Sequence, residues 1–232
     1  MQTPAPVPAT RSDTVALPTL AAADLACRRG NRRLFSGVDF HLAAGQAMWL
    51  RGRNGRGKTS LLRLAAGLAV PESGDITWGG VPVRDAPGMA QRLVYVAHAC
   101  ALKDDLSVTE SLRFLTQLHG RDDSIPALHA ALDRVGMVSR RDAMVRTLSQ
   151  GQRRRATLAR LALEREASLW ILDEPYDALD SDGIEAVNSL LTENLARRGS
   201  VLLTSHQAAG GSAPPMTVFG LDPMKIEEAG RD

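Results

Sequence analysis

The stretch Gly52-Arg53-Asn54-Gly55-Arg56-Gly57-Lys58-Thr59 has the spacing G-x-x-x-x-G-K-T and is followed by Ser60. Glycines let successive backbone N–H groups close around an anion without Cβ clashes, and a helix beginning at the lysine adds positive potential. These residue types point to a phosphate. Lys58 supplies a point charge for β- and γ-phosphate oxygens, and Thr59 a hydroxyl suited to Mg2+. A second candidate lies far along the chain, where the apolar run 169–172 ends in Asp173 and Glu174. At the carboxyl end of a buried parallel strand, an aspartate can hold a magnesium water shell and a glutamate can polarise an attacking water. A third is Leu148-Ser149-Gln150-Gly151-Gln152, which precedes an arginine-rich helix. Ser149 and Gln152 have capping-box spacing, so the turn reads either as a well-capped helix or as a helix N-terminus facing a phosphate. In a chain that already has one phosphate loop, a second anion site suggests a nucleotide shared between two subunits.

Elements must hold these groups together. Short apolar runs at 47–51, 75–78, 93–97, 168–172 and 200–204 read as strands, with a further possible strand at 216–221. Helical patterns lie at 58–66, 124–135, 151–165 and 181–198, and Ser107-Val-Thr-Glu110 is a capping box that opens another. Strands alternating with helices imply an α/β fold with a parallel sheet covered on both faces. The stretch from about 105 to 147 is helical without strands and reads as an insertion.

The chain has 232 residues, 28 basic and 26 acidic, and a formal charge of +2, which argues against gripping nucleic acid as its main business. Its two cysteines, Cys27 and Cys100, form neither a disulfide framework nor a zinc spacing, as suits a reducing compartment. No apolar run approaches the roughly 18 residues that a membrane-spanning helix needs. Residues 1–18 are rich in Pro, Ala and Thr and read as a disordered leader, not a signal peptide. Lysine occurs only at 58, 103 and 225.

Over about 20–207 the chain resembles the ATP-binding subunits of ABC transporters. GRNGRGKT is similar to their Walker A motif, LSQGQ to the signature and LWILDE to Walker B. Ala178-Leu179-Asp180 resembles the D-loop, and Thr204-Ser205-His206 the switch-histidine segment. Order and spacing agree, with Ser149 lying 24 residues before Asp173. The resemblance implies a P-loop NTPase core with a mostly parallel sheet, an antiparallel β subdomain and an inserted α-helical signature subdomain at about 105–160. The ATPase domain would span 19–210 and a C-terminal tail 211–232. It also implies ATP and Mg2+, and a head-to-tail homodimer in which Ser149 of one chain contacts the γ-phosphate held by the other. His206 would touch that phosphate and help align Glu174 and water. As a bare residue, His206 would read first as a satisfied histidine at a strand end; its place after Val201-Leu-Leu-Thr-Ser205 favours the switch role.

Two departures narrow the resemblance. Most members have Gln where this chain has His98 after Leu93-Val-Tyr-Val-Ala, and an aromatic on adenine where it has Arg29. Together with YVAH, TESLRFL and LLTSHQ they are similar to the haem-exporter ATPases of cytochrome c maturation. Arg29 can stack its guanidinium on a base, and a neutral His98 can approach the magnesium water shell as Gln does; the alternative is that neither replacement matters. This implies an integral membrane permease partner, a place on the cytoplasmic side of the inner membrane, and haem as cargo delivered to or released from a periplasmic chaperone. No haem-ligating motif is visible, so no direct haem binding is expected, and no nucleic-acid partner. An exporter ATPase for another substrate is the alternative. Nucleic-acid ATPases of this type carry a long coiled coil or two cassettes, and a binding module without hydrolysis would lack Glu174 and His206. The charged run Arg153-Arg154-Arg155 opposes the dipole at the start of its helix, which is unfavourable unless phosphate is near. Lys58→Ala is expected to abolish nucleotide binding, measured by titration with a fluorescent ATP analogue.

Overall fold

A computed structural model describes residues 17–221. Two sheets organise it. β1 (Leu20–Arg29) and β2 (Arg32–Leu42) form a hairpin around Gly30 and Asn31, with Gly30 at φ +57° as so short a connection requires. β3 (Ala47–Arg51) leads through the glycine-rich loop into α1 (Lys58–Ala65). β4 (Ser73–Trp78) and β5 (Val81–Pro82) complete the antiparallel sheet, in the order β2-β1-β4-β5.

After the short α2 (Met89–Arg92) come β6 (Leu93–Val96) and two helices, α3 (Val108–Leu118) and α4 (Ile125–Arg134). The expected capping box opens α3: the Glu110 N–H donates to Ser107 Oγ, and the Ser107 N–H to Glu110 Oε2 at 2.8 Å. α5 (Gln150–Leu158) precedes β7 (Leu169–Asp173), α6 (Ser181–Ala196), β8 (Ser200–Thr204) and β9 (Thr217–Gly220). The five-stranded sheet, in the order β6-β7-β8-β3-β9, is parallel at every pairing.

One helix is shorter than its sequence pattern suggests. The pattern over 151–165 predicts a single helix, but α5 ends at Leu158 and a 3-10 turn covers Ala159–Leu163. Leu158 before the change and Leu161 and Leu163 after it are all buried. Within the stretch read as a C-terminal tail, β9 pairs with β3 on the sheet edge, while residues 222–232 lie outside the described residues. So does the expected leader, except Leu17, which is buried, and Pro18.

Alternation along the parallel strands sorts the core into two. Leu169 and Ile171 of β7 and Leu202 of β8 face the antiparallel sheet and α1. Trp170, Leu172, Val201 and Leu203 face α6 and the helical region, where Leu112, Leu128 and Leu132 are fully buried. All five residues of β7 are buried, as a central parallel strand requires. The inserted helices therefore share one core with the sheet. Leu128→Ala is expected to lower stability by about 2–5 kcal/mol, read as a shift in the urea midpoint of one transition seen by both circular dichroism and tryptophan fluorescence.

Candidate functional site

Strand register gathers the chemistry at one edge. Leu50 and Asp173 both pair with Thr204, and Val96 pairs with Leu172. The segments leaving β3, β6, β7 and β8 therefore emerge side by side at the carboxyl edge of the sheet, where ligands bind in folds of this type. They are the glycine-rich loop, Ala97-His98, Glu174 and Ser205-His206. A cleft of about 570 Å³ opens there, lined by Lys58, Thr59, Asp173, Glu174, His98 and His206, with Ser60, Asn54 and Gly55 on the loop side and Arg29 at the hairpin tip.

The loop is a tight cradle. Gly55 and Gly57 hold φ of +75° and +91°, and a Cβ on Gly57 would lie 2.9 Å from the Phe35 ring. Lys58 is 9% exposed, and its Nζ donates to Gly52 O at 2.7 Å. The same ammonium lies 3.3 Å from His206 Nε2. The same ring nitrogen is 3.5 Å from Glu174 Oε1, so His206 sits between the ammonium and the carboxylate. Arg53 and Arg56 lie in the loop itself, where the Arg56 N–H donates to Arg53 O at 3.3 Å.

The acidic pair is held by hydroxyls. Thr59 Oγ1 donates to Asp173 Oδ2 and Thr204 Oγ1 to Asp173 Oδ1, each at 2.8 Å. Thr204 Oγ1 also accepts the Glu174 N–H at 3.0 Å, and Glu174 Oε2 accepts the His206 N–H at 2.8 Å. Glu174 takes a left-handed backbone, φ +52°, which for a residue with a side chain costs on the order of 1–3 kcal/mol. Such strain persists only where neighbours hold it, and functional sites are where it collects. Among the described residues no three His, Cys, Asp or Glu side chains form a metal cluster. Thr59 and Asp173 are hard oxygen donors already side by side, and they fit a divalent cation that takes its remaining ligands from phosphate and water.

Arg29 is carried at the end of β1, beside an anchored pair. Arg33 and Arg28 both bond Glu72, and their guanidinium groups hold its carboxyl down to about 2. Ser149, Gly151 and Gln152 sit elsewhere, in a second cleft of about 450 Å³ with Ala178, Asp180 and Arg140. The two clefts share no lining residue. The Ser149 capping box is formed: the Gln152 N–H donates to Ser149 Oγ at 3.2 Å, and the Ser149 N–H to Gln152 Oε1 at 3.1 Å. A Cβ on Gly151 would lie 2.5 Å from Ala178 O, so glycine lets the two turns of this cleft meet.

Each arginine of the run has partners within the chain, and Arg155 also lines the second cleft with Ser149. Arg153 pairs with Asp104 at 2.6 Å, and Arg155 with the Asp180 carboxylate and Val135 O. Arg154 is 3% exposed and is spent on main-chain carbonyls at the first cleft. Burial pushes its guanidinium below the usual arginine value. Sequence reasoning missed Arg154 and Thr204 as site residues. Thr204 had a signal in its place at the end of β8; Arg154 had none beyond its charge.

Residues 35–177 match the family model described as ABC transporter. The chain is 46% identical to a protein of Aromatoleum aromaticum named cytochrome c biogenesis ATP-binding export protein CcmA, over 88% of this chain and 95% of that one. A protein of the same name from Pseudomonas aeruginosa is 44% identical over 81% of this chain and 93% of its own. The fold is similar to a solved ABC transporter ATP-binding protein from Pyrococcus furiosus, at a TM-score of 0.76 and 23% identity, covering 90% of this chain and all of that one. A solved ATP-binding subunit of an ABC transporter gives a TM-score of 0.70 at 25% identity, over 81% of this chain and 79% of that one. Gly57→Ala, with its Cβ against Phe35 and its strained φ, is expected to weaken nucleotide binding at least about tenfold by isothermal titration, about 1.4 kcal/mol.

Proposed function

The chain belongs to the ABC transporter ATP-binding family, and on that footing we propose that it is the ATP-hydrolysing subunit of an exporter in cytochrome c biogenesis, with haem as cargo. The observation that carries this reading is one cleft holding Lys58, Thr59, Asp173, Glu174 and His206 in a chain 46% identical to a cytochrome c biogenesis export protein. Nucleotide binding and ATPase activity come with the family; the roles below are our assignment.

Gly52 to Ser60 wrap the phosphates of ATP, with Lys58 as the fixed positive charge. Thr59 and Asp173 would hold Mg2+, which would supply charge neutralisation for the phosphates. Glu174 takes a proton from water as the water oxygen bonds the γ-phosphorus, and the bond from that phosphorus to the β–γ bridging oxygen breaks to leave ADP. His206, between Lys58 and Glu174, faces the γ-phosphate and orients the carboxylate through its backbone N–H. Arg29 lines the cleft, where its planar guanidinium would stack on the base, and His98 lines it where it would approach the water shell of a bound cation. In this reading Ser149, Gly151 and Gln152 act on ATP held by another chain, in a head-to-tail homodimer; their separation from the first cleft supports it.

Among the described residues no helix is long and apolar enough to cross a membrane. In this reading an integral membrane permease forms the path for export. The homodimer would dock on it from the cytoplasmic side of the inner membrane, through the helical region and the segment near His98. Neither haem nor nucleic acid is a ligand of this chain in this reading.

Glu174→Gln is expected to keep ATP affinity, lower turnover by about 10²–10⁴-fold, and accumulate as an ATP-dependent dimer by light scattering. Native turnover would remove Glu174 from the general-base role. In cells carrying that variant as the sole copy, haem-stained gels should lose covalent cytochrome c, and normal staining would sink the cytochrome c assignment.

A further inference from the structure

Arg154 differs from its neighbours in the arginine run. Its Nη1 donates to Ala97 O at 2.9 Å and contacts His98 O at 3.4 Å, while Nη2 donates to Asp173 O and Glu174 O, both at 2.6 Å. Those four carbonyls belong to the segments leaving β6 and β7, and the guanidinium comes from a third element, α5. A planar fork with donors on both arms can bridge two such segments; a lysine ammonium, a point charge, cannot do so with the same geometry.

Glu174 is the residue this grip bears on most. Its left-handed backbone is pinned on the amide side by Thr204 and on the carbonyl side by Arg154 and the Asp177 N–H at 3.1 Å. The Arg154 bond is charge-assisted, and such bonds are about twice as strong as those between neutral groups. The guanidinium is buried, so water does not compete for it.

We propose that Arg154 is a positioning residue for hydrolysis: it sets the backbone from which the Glu174 carboxylate is presented, and makes that setting depend on where α5 and the Ala97-His98 segment lie. The inference rests on the general-base role of Glu174. Arg154 bonds nothing in the phosphate loop, so nucleotide binding and the hydrolytic step respond to it differently.

Arg154→Lys and Arg154→Ala in the full chain test this. Turnover is expected to fall about tenfold in the first and about 10²-fold in the second, as for a misplaced catalytic group. KM for ATP and affinity for ADP should stay within about twofold. In a Glu174→Gln background the same substitutions should change the residual hydrolysis less than about twofold, because no base is left to position. If Arg154→Ala does not fold, Arg154→Lys decides alone. A rise in KM that tracks the lost turnover, or an equal loss in the Glu174→Gln background, overturns the proposal and leaves a structural role. Native hydrolysis by Glu174→Gln itself would instead remove the general base, and the inference with it.

Discussion

Asp173 is 2% exposed, and a threonine hydroxyl takes up each of its carboxylate oxygens, Thr59 from α1 and Thr204 from β8. A buried carboxylate without such partners would be strongly destabilising. Both hydroxyls arrive through long-range geometry. Thr204 is opposite Asp173 because β7 and β8 pair in that register, and Thr59 is there because β3 lies on the other side of β8. A shift of one residue between β7 and β8 would turn Thr204 away and leave the carboxylate half-satisfied. The same Thr204 oxygen accepts the Glu174 N–H, so one hydroxyl links the buried acid to the strained one beside it.

From this joint the site extends in two directions. On the loop side, Lys58 is nearly buried and bonds the Gly52 carbonyl, which keeps its charge within the cradle. On the helical side, the three arginines after Gln152 tie α5 to its surroundings in three ways: Arg153 to Asp104, Arg154 to the carbonyls beyond β6 and β7, Arg155 to Asp180. Arg153 and Asp104 are partly exposed, and their bond is worth little by itself. Arg154 is buried, and removing it would leave carbonyls without donors.

The two faces of the parallel sheet do different work. Leu169, Ile171 and Leu202 pack against α1 and the antiparallel sheet, whose hairpin carries Arg29 to the cleft. Trp170, Leu172 and Leu203 pack against the helices that carry Ser149 to the second cleft. A single strand, β7, thus serves both cores and ends in the acidic pair that the first cleft needs.

Much of this was legible in the residues. The glycine spacing, the apolar run before Asp173, the capping boxes at Ser107 and Ser149 and the strand ending in Thr204 are local patterns, and local backbone physics decides them. Boundaries failed where the backbone changes its winding, as at 159–163, where a 3-10 turn replaces the end of the helix. The partners of the arginine run were not legible, because a charge in sequence does not say which distant carbonyl or carboxylate it meets. The sequence alone determined which groups could do phosphate chemistry and which elements carry them. Only the tertiary structure decided that Thr204 and Arg154 join the site and that Ser149 does not line the first cleft, because strand register and long-range hydrogen bonds are set by the packed sheet, not by neighbours in the chain.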